Sequence, residues 1–359
     1  MVGTRRSRHH GAMSVAALLF ALLSSFTLSQ VPASMMHGSV VRVTVHGQSL
    51  EGNLEGDSPD REVSVYLPAG YDSQPSHRYP VIYLLHGFTD SDLTWFGRDP
   101  HYDGISAADR AFAAGVPGMI VVMPDAKTRY FGSMYSNSLT VGDWESFVSH
   151  DLVAFVDSHY RTIPERMSRG LAGHSMGGYG TIRLAMKHPE VFSSIYALSA
   201  CCLVPANLKD PPWSTAPTAQ TDEQLAAGDF LAKAQFASAA AWSSNPGRAP
   251  RFIDYPWKDG VFQPLVAAKW AANAPLVMLD QYVPALKRLH AIALDVGTHD
   301  SLMPSVQALE EAMTADGIVH TYETYDGDHV NHIAVRFERS VLPFFSKNLV
   351  FDGGGAKKH

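Results

Sequence analysis

Cysteine is scarce in this sequence, since its 359 residues contain only two, the neighbours Cys201 and Cys202. A disulfide between adjacent residues would close a strained ring, so we expect two buried thiols. The protein is therefore not a scaffold held by disulfides, and its stability must come from a hydrophobic core. With 46% hydrophobic residues, the chain can form one large domain or two small ones.

Positive charge is also limited. Lys and Arg number 28 against 35 Asp and Glu, which gives a formal net charge of −7. A chain with this acidic balance and no basic stripe is a poor partner for nucleic acid or for an anionic membrane. We therefore expect neither as a partner.

Long hydrophobic runs are absent except near the N-terminus. There, three arginines at positions 5, 6 and 8 precede an apolar run from 13 to 28 and the small-residue end Val31-Pro32-Ala33. This pattern predicts a secretory signal peptide over residues 1–33, cleaved after Ala33, and a secreted or periplasmic protein with no membrane association afterwards. Without these residues, which hold three Arg and no acidic residue, the formal charge falls to −10.

The remaining chain alternates between strand-like and helix-like segments. Two early segments with alternating polarity predict antiparallel strands, and later apolar runs predict buried parallel strands. The predicted strands are 40–45, 62–67, 79–85, 118–123, 167–171, 191–200, 291–296 and 321–325. The predicted helices are 102–115, 143–160, 181–187, 304–314 and 332–347. This alternation predicts the α/β class, with a mostly parallel central sheet covered by helices on both faces.

The alternation stops after Cys201. Clustered Pro and Trp and two Ala-rich helical pieces, around 222–241 and 264–273, occupy the stretch before about Tyr282, and no strand is predicted there. We interpret residues 203–285 as a helical cap inserted into a single domain spanning 34–351, although ordinary surface helices are the alternative. The Gly- and Lys-rich tail, 352–359, is expected to be disordered.

One turn carries the main chemical signal, the pattern Gly173-x-Ser175-x-Gly177 between a predicted strand and a predicted helix. This is the nucleophile elbow, in which a strained backbone lifts the serine hydroxyl clear of the sheet. A glycine-rich turn without chemistry is the alternative, so the rest of the chain must decide.

A serine hydroxyl needs a base, and the base works best when a carboxylate orients it. The loops at the carboxyl ends of parallel strands converge at one edge of the sheet. Asp300 follows one late strand and His329 follows the last, in the nucleophile–acid–histidine order expected for this kind of sheet. We prefer Asp300 to Asp295, which lies within its strand.

Other histidines compete with His329 for the role of base. His332 lies in the first turn of the last helix, where a structural role is expected, and His299 is expected to pack or hydrogen-bond beside the acid. A metal site formed by Asp326, Asp328, His329 and His332 is an alternative, but no His-Glu-x-x-His or other third-ligand motif accompanies it. We expect no metal and no cofactor.

The oxyanion of the reaction needs two donors. We expect the amide of Met176, which follows the nucleophile, and the amide of Phe88, with Gly87 as the alternative. His86 is expected to brace that loop, and His174 to lie in the core. For the substrate pocket we expect Gly87 and the loop aromatics, although core packing is an equal alternative for the aromatics. They are Trp95, Tyr130, Phe131 and Tyr135.

Five motifs together resemble the esterase D family of α/β-hydrolases, which includes feruloyl and acetyl-xylan esterases, S-formylglutathione hydrolases and the antigen 85 mycolyltransferases. The motifs are Tyr66-Leu67-Pro68-x-Gly70-Tyr71, Leu84-Leu85-His86-Gly87, Trp144-Glu145-x-Phe147, Gly173-His174-Ser175-Met176-Gly177-Gly178 and Gly297-Thr298-x-Asp300. The resemblance covers about 60–200 and 288–347. It implies an α/β-hydrolase fold with Ser175 as nucleophile, Asp300 as acid and His329 as base. Asp328 before the histidine and the long 203–285 insertion depart from the family pattern.

The sequence thus predicts an exported serine carboxylic-ester hydrolase that acts through an acyl-enzyme. We expect short-acyl or aryl esters of the feruloyl or acetyl type, either small molecules or linked to polysaccharide. One alternative is an acyltransferase of the antigen 85 type, and another is a catalytically inactive binding protein with this fold. The latter predicts a missing triad member, and none is missing. The oligomeric state is left open.

Overall fold

The computed structural model describes residues 37–96, 102–211, 213, 219 and 221–351. The predicted signal peptide (1–33) and the predicted disordered tail (352–359) lie outside the described residues. Within the described ranges, the structure contains no helix with the length and apolar character needed to span a bilayer.

A central sheet of eight strands organises the described part of the chain, in the spatial order β1-β2-β4-β3-β7-β8-β11-β12. β2 runs antiparallel to both of its neighbours, and every pair from β4 onward is parallel. These strands are β1 Ser39–His46, β2 Asp60–Leu67, β3 Val81–Leu85, β4 Ile120–Pro124, β7 Arg169–His174, β8 Ser194–Leu198, β11 Ala291–Gly297 and β12 Thr321–Tyr325. The sheet is therefore mostly parallel, as predicted.

The middle of the sheet is buried on both faces. In β3 the side chains of Val81, Tyr83 and Leu85 join one core cluster, while Ile82 and Leu84 join the other. Successive side chains of a strand point to opposite faces, so an uninterrupted apolar run suits a strand that is covered on both sides.

Helices cover the two faces. Residues of α1 and α11 pack in one cluster and residues of α3, α4 and α9 in the other. The helices are α1 Gly104–Ala113, α2 Trp144–Ser146, α3 Leu152–His159, α4 Met176–Lys187, α5 Asp222–Ala227, α6 Phe230–Trp242, α7 Pro264–Ala271, α8 Pro275–Leu286, α9 Met303–Ala315, α10 Ile333–Arg336 and α11 Leu342–Asn348. Two of the predicted helices are interrupted by π-helical turns, Phe147–Asp151 between α2 and α3 and Phe337–Val341 between α10 and α11.

The segment between β8 and β11 contains α5 to α8. The two Ala-rich pieces predicted from the sequence correspond to α5–α6 and to α7. The structure adds α8 and a short hairpin, β9 Trp257–Lys258 paired with β10 Val261–Phe262, where no strand was expected. Two-residue strands are too short to produce a recognisable alternation, so the sequence gives no signal for this hairpin. A second small hairpin pairs β5 Asn137–Ser138 with β6 Gly142–Asp143.

Candidate active site

Ser175 lies at the turn between β7 and α4, with φ 57° and ψ −113°. A non-glycine residue at positive φ is strained, and such strain persists only where the surroundings enforce it. The flanking glycines show how tight the turn is. A Cβ on Gly173 would lie 2.4 Å from the backbone of Gly177, and one on Gly177 would lie 2.1 Å from the carbonyl oxygen of Leu85. Larger residues at these two positions would force the turn open.

The structure brings Ser175, His329 and Asp300 together. The Nε2 atom of His329 lies 3.0 Å from Oγ of Ser175, and its Nδ1 lies 2.8 Å from Oδ2 of Asp300. An ionised carboxylate can only accept, so Nδ1 carries the proton and Nε2 is free to accept the one from the serine hydroxyl. Asp300 follows β11 and His329 follows β12, at the edge of the sheet where β7 delivers Ser175. This arrangement is a hydrogen-bonded serine–histidine–aspartate chain.

The environments of the acid and the base differ. The side chain of Asp300 is fully buried, while that of His329 is 34% exposed. Burial by itself raises the pKa of Asp300, but hydrogen bonds from His329 and from the amide of Leu302 outweigh it, so the pKa lies below its ordinary value. The carboxylate therefore stays ionised beside the imidazole, which a substrate can reach.

The competing residues lie elsewhere. Asp295 accepts hydrogen bonds from Tyr196 and Arg336, at 2.9 and 2.8 Å. His332 precedes α10, where its ring packs edge-on against Tyr325. His299, which was expected beside the acid, is instead an exposed residue that bonds Asp326 at 2.9 Å.

The two amides expected to bind the oxyanion belong to residues close to the nucleophile. Met176 is the first residue of α4, and Phe88 follows Gly87, whose added Cβ would lie 3.6 Å from Cβ of Ser175. Within the described residues neither amide donates to a protein acceptor. Both are therefore available to a developing negative charge next to Ser175.

His86 braces the loop that carries Phe88. Its Nε2 accepts from the amide of Ala126 at 2.8 Å, so Nδ1 is the protonated nitrogen and donates to the carbonyl of Gly87, also at 2.8 Å. The N–H and C=O of a peptide point in opposite directions, so fixing the carbonyl of Gly87 also fixes the amide of Phe88.

Residues 58–333 match the family described as "Putative esterase". The chain belongs to this esterase family. Among curated relatives, an endo-1,4-beta-xylanase/feruloyl esterase of Xylanibacter ruminicola is 29% identical over 49% of this chain and 23% of its own length. An esterase of Mycobacterium tuberculosis is 34% identical over 41% of this chain and 30% of its own length. The S-formylglutathione hydrolase of Bos taurus is 26% identical over 49% of this chain and 62% of its own length. The chain thus spans less than two thirds of each of these relatives.

Solved structures of similar proteins show the same fold. A ferulic acid esterase superposes with a TM-score of 0.62 at 20% identity, covering 88% of this chain and 100% of that one. The feruloyl esterase module of Clostridium thermocellum superposes with a TM-score of 0.55 at 18% identity, covering 92% of this chain and 96% of that one. The α/β-hydrolase fold and the family resemblance predicted from the sequence are therefore confirmed.

Of the four loop aromatics, Trp95, Tyr130 and Tyr135 are buried in the core, which was the equal alternative to a pocket role, and Phe131 is partly buried with the Nζ atom of Lys233 5.0 Å from its ring centroid. Trp95 is fully buried between Tyr102 and Phe337, at ring separations of 5.5 Å. Tyr130 is buried and stacks on Phe236, and the buried Tyr135 donates to the carbonyl of His86. A large aromatic side chain removes much apolar area from water, so these three residues instead hold the loops to the core.

A half-open cavity of about 1180 Å³ adjoins Ser175 and His329. It is lined chiefly by the segment between β8 and β11, together with Phe88 and the start of α9. Sequence reasoning missed its aromatic wall, although the clustered tryptophans of that segment were a usable signal. The wall residues are Trp213, Phe230, Trp242, Phe262 and Trp270.

Cys201 and Cys202 also line this cavity and are only partly buried, with their Sγ atoms 2.7 Å apart as free thiols. The amide of Cys201 donates to the carbonyl of Ser175 at 3.1 Å, so the pair helps to hold the elbow. Within the described ranges, no group of three or more His, Cys, Asp or Glu side chains is arranged to hold a metal ion.

Proposed function

We propose that this protein is a serine carboxylic-ester hydrolase. The observation that carries the proposal is the position of the His329 imidazole, which lies 3.0 Å from the Ser175 hydroxyl and 2.8 Å from the Asp300 carboxylate. Membership of the esterase family supports the same reaction class.

In the proposed mechanism, Ser175 attacks the ester carbonyl while His329 takes the hydroxyl proton. The amides of Met176 and Phe88 hold the resulting oxyanion, and Asp300 stabilises the imidazolium. His329 then gives its proton to the leaving alcohol, which leaves the acyl group on Ser175. A water molecule, deprotonated by His329, releases the acid and restores the serine.

The substrates we propose are carboxylic esters, and the feruloyl esterases among the relatives make aryl esters the first class to try. A suitable panel contains p-nitrophenyl esters, methyl ferulate and acetylated xylan. Adding an acceptor alcohol to the same assays would reveal acyl transfer as a second product.

Variants at three positions test the mechanism. Ser175→Ala should reduce kcat on the order of 10⁶-fold, and His329→Ala by a comparable factor. His332→Ala is the matched control, because this residue lies near His329 without contacting Ser175, and its kcat should stay within a few-fold of the wild type. If His332→Ala were as damaging as His329→Ala, the base would be misassigned.

We further propose that the protein is exported, on the basis of the basic and apolar segment at residues 1–33. N-terminal sequencing of the protein recovered outside the cytoplasm should begin at Ser34. An unprocessed Met1 terminus on that material would contradict this proposal.

A further inference from the structure

The cavity beside Ser175 is larger than a small acyl or aryl group requires. Its volume of about 1180 Å³ exceeds the roughly 300–1,000 Å³ typical of pockets that enclose drug-sized ligands. An acetyl group, or the single ring of a feruloyl group, would leave most of this space to water. The cavity therefore fits a bulkier group.

The wall of the cavity is largely apolar and aromatic. The rings of Trp242 and Trp270 lie edge-to-face at 5.8 Å, and Trp213 adds a third ring 6.2 Å from Trp270. The indole N–H of Trp270 donates to Ser243 at 2.8 Å, and that of Trp242 points to Ser136 at 3.4 Å. Because both N–H groups are directed at protein hydroxyls, these tryptophans present carbon surface to a ligand.

Charge is nearly absent from the wall. Among the described lining residues none is acidic, and Lys209 is the only Lys or Arg side chain, with its Nζ 5.2 Å from the centroid of the Phe262 ring. A sugar buried here would lose hydrogen bonds to water that the few polar side chains of the wall, such as Asn207, Ser238 and Ser305, would replace only in part, whereas an apolar chain would lose none. The cavity therefore selects for apolar character as well as for size.

Small residues create the space. Alanines of α6, α7 and α9 occupy positions on the wall where larger side chains would fill the cavity, namely Ala234, Ala267, Ala268, Ala271 and Ala308. At the mouth, Phe230 is 67% exposed and rests edge-on against Phe88 at 5.4 Å. An exposed apolar rim that continues into an apolar cavity typically marks a binding site for an apolar ligand.

We propose that the esters taken by this site carry a large apolar group, such as a long acyl chain or a long or fused-ring alcohol. The proposal rests on the proposed function, and it assigns size selection to the alanine-lined wall. Each methylene that the cavity removes from water should then strengthen transition-state binding by about fourfold, up to the length at which the cavity is full.

The test uses two series of esters with the full-length protein. One series varies the acyl chain from acetate to decanoate on p-nitrophenol, and the other holds acetate constant while the alcohol grows from ethyl to decyl. We expect kcat/KM to rise on the order of 10-fold or more along at least one series, and the series that rises identifies which side of the ester enters the cavity.

Variants that fill the cavity test whether its wall causes the dependence of kcat/KM on ester length. Ala271→Phe should reduce the ratio of kcat/KM for the longest ester to that for the shortest by about 10-fold, because its ring would occupy the wall. Ala272→Phe is the matched control, since Ala272 is exposed and does not line the cavity. If Ala271→Phe fails to fold, Ala268→Phe replaces it, because Ala268 lines the cavity at an exposed position, where we expect a larger side chain to be accommodated.

The outcomes separate this inference from the proposed function. Suppose that the acetate ester is hydrolysed and a fluorophosphonate labels Ser175, but kcat/KM stays constant or decreases with chain length in both series. Only the inference is then overturned. Equal length profiles for the Ala271→Phe and Ala272→Phe proteins would also overturn it. If no ester is hydrolysed and Ser175 is not labelled, the proposed function itself fails.

Discussion

The imidazole of His174 donates a hydrogen bond from Nε2 to the backbone carbonyl of His329, over 2.8 Å. A carbonyl can only accept, so the proton lies on Nε2, and Nδ1 accepts from the hydroxyl of Tyr102 at 3.2 Å. Burial, together with the nearby His329, lowers the pKa of His174 to about 3. His174 is thus a neutral residue that ties the loop of the proposed base to the strand of the proposed nucleophile.

His174→Leu should reduce kcat about 10- to 100-fold, because a shift of about 1 Å in His329 is enough to disturb proton transfer. His174→Gln keeps an N–H donor at similar reach and should recover part of the loss. The measurement is kcat and KM on one p-nitrophenyl ester, with thermal unfolding of both variants alongside. Equal kcat values for the Leu and Gln variants, at equal stability, would show that the contact does not position the base.

The same histidine should make the protein less stable as the pH is lowered. In the unfolded chain His174 binds a proton below about 6.5, whereas in the folded protein it does so only near 3. Between these values the unfolded state binds more protons, so the free energy of unfolding decreases as pH falls, by at most about 1.4 kcal/mol per pH unit from this group. Urea unfolding at pH 7.0, 5.5 and 4.5 should show a shallower pH dependence for His174→Gln than for the wild type. Parallel curves would count against a buried neutral His174.

The choice of acid can be tested by comparing Asp300→Asn with Asp295→Asn. Asp300→Asn should reduce kcat on the order of 10⁴-fold, because the imidazole loses its orienting carboxylate. Asp295→Asn should instead lower the free energy of unfolding by a few kcal/mol, since the charge of Arg336 loses a buried partner. Kinetics and urea unfolding of both proteins separate the two effects. A large loss of kcat in Asp295→Asn at wild-type stability would reassign the acid.

The elbow helix α4 is held by a buried ion cluster. Glu145 accepts from Arg183 at 2.8 Å and from Lys187 at 3.0 Å, and these bonds connect α4 to α2. Burial by itself raises the pKa of Glu145, but the two cations lower it by more, so the pKa lies below its ordinary value. The cluster therefore stabilises the fold above about pH 4.5, and the contribution is lost as pH falls through the lowered pKa.

Glu145→Gln should lower the free energy of unfolding at pH 7 by about 3 kcal/mol, because it leaves the buried Arg183 without its carboxylate. The control is Asp222→Asn, which breaks half-exposed ion pairs with Arg129 and Arg251 and should cost less than about 1 kcal/mol. Urea unfolding measures both. Equal losses in the two variants would show that burial does not distinguish these pairs.

Much of the site could be predicted because its signals are local. The glycines around Ser175 identify the sharp turn, and the apolar runs identify the strands that precede Asp300 and His329. In a parallel sheet the loops that follow such strands lie at one edge, so chain order alone predicts that the three residues approach one another. The structure brings these three side chains into a hydrogen-bonded chain.

The substrate side could not be predicted in this way. Trp95, Tyr130 and Tyr135 are of residue types that commonly line pockets, yet they are buried in the core. The cavity is lined instead by Trp213, Trp242 and Trp270. An aromatic side chain in a loop can pack inward or face a cleft with similar local preferences. Segments far away in the chain determine which of the two occurs.

The sequence by itself determined the order of strands and helices, the strained turn at Ser175 and the family, because these depend on periodicity and on residues close together in the chain. Only the tertiary structure decided that His174 holds the loop of His329, and that the alanines of α6 and α7 leave an apolar cavity open beside Ser175. These features depend on the distances between side chains that the fold brings together, and no local pattern encodes such distances.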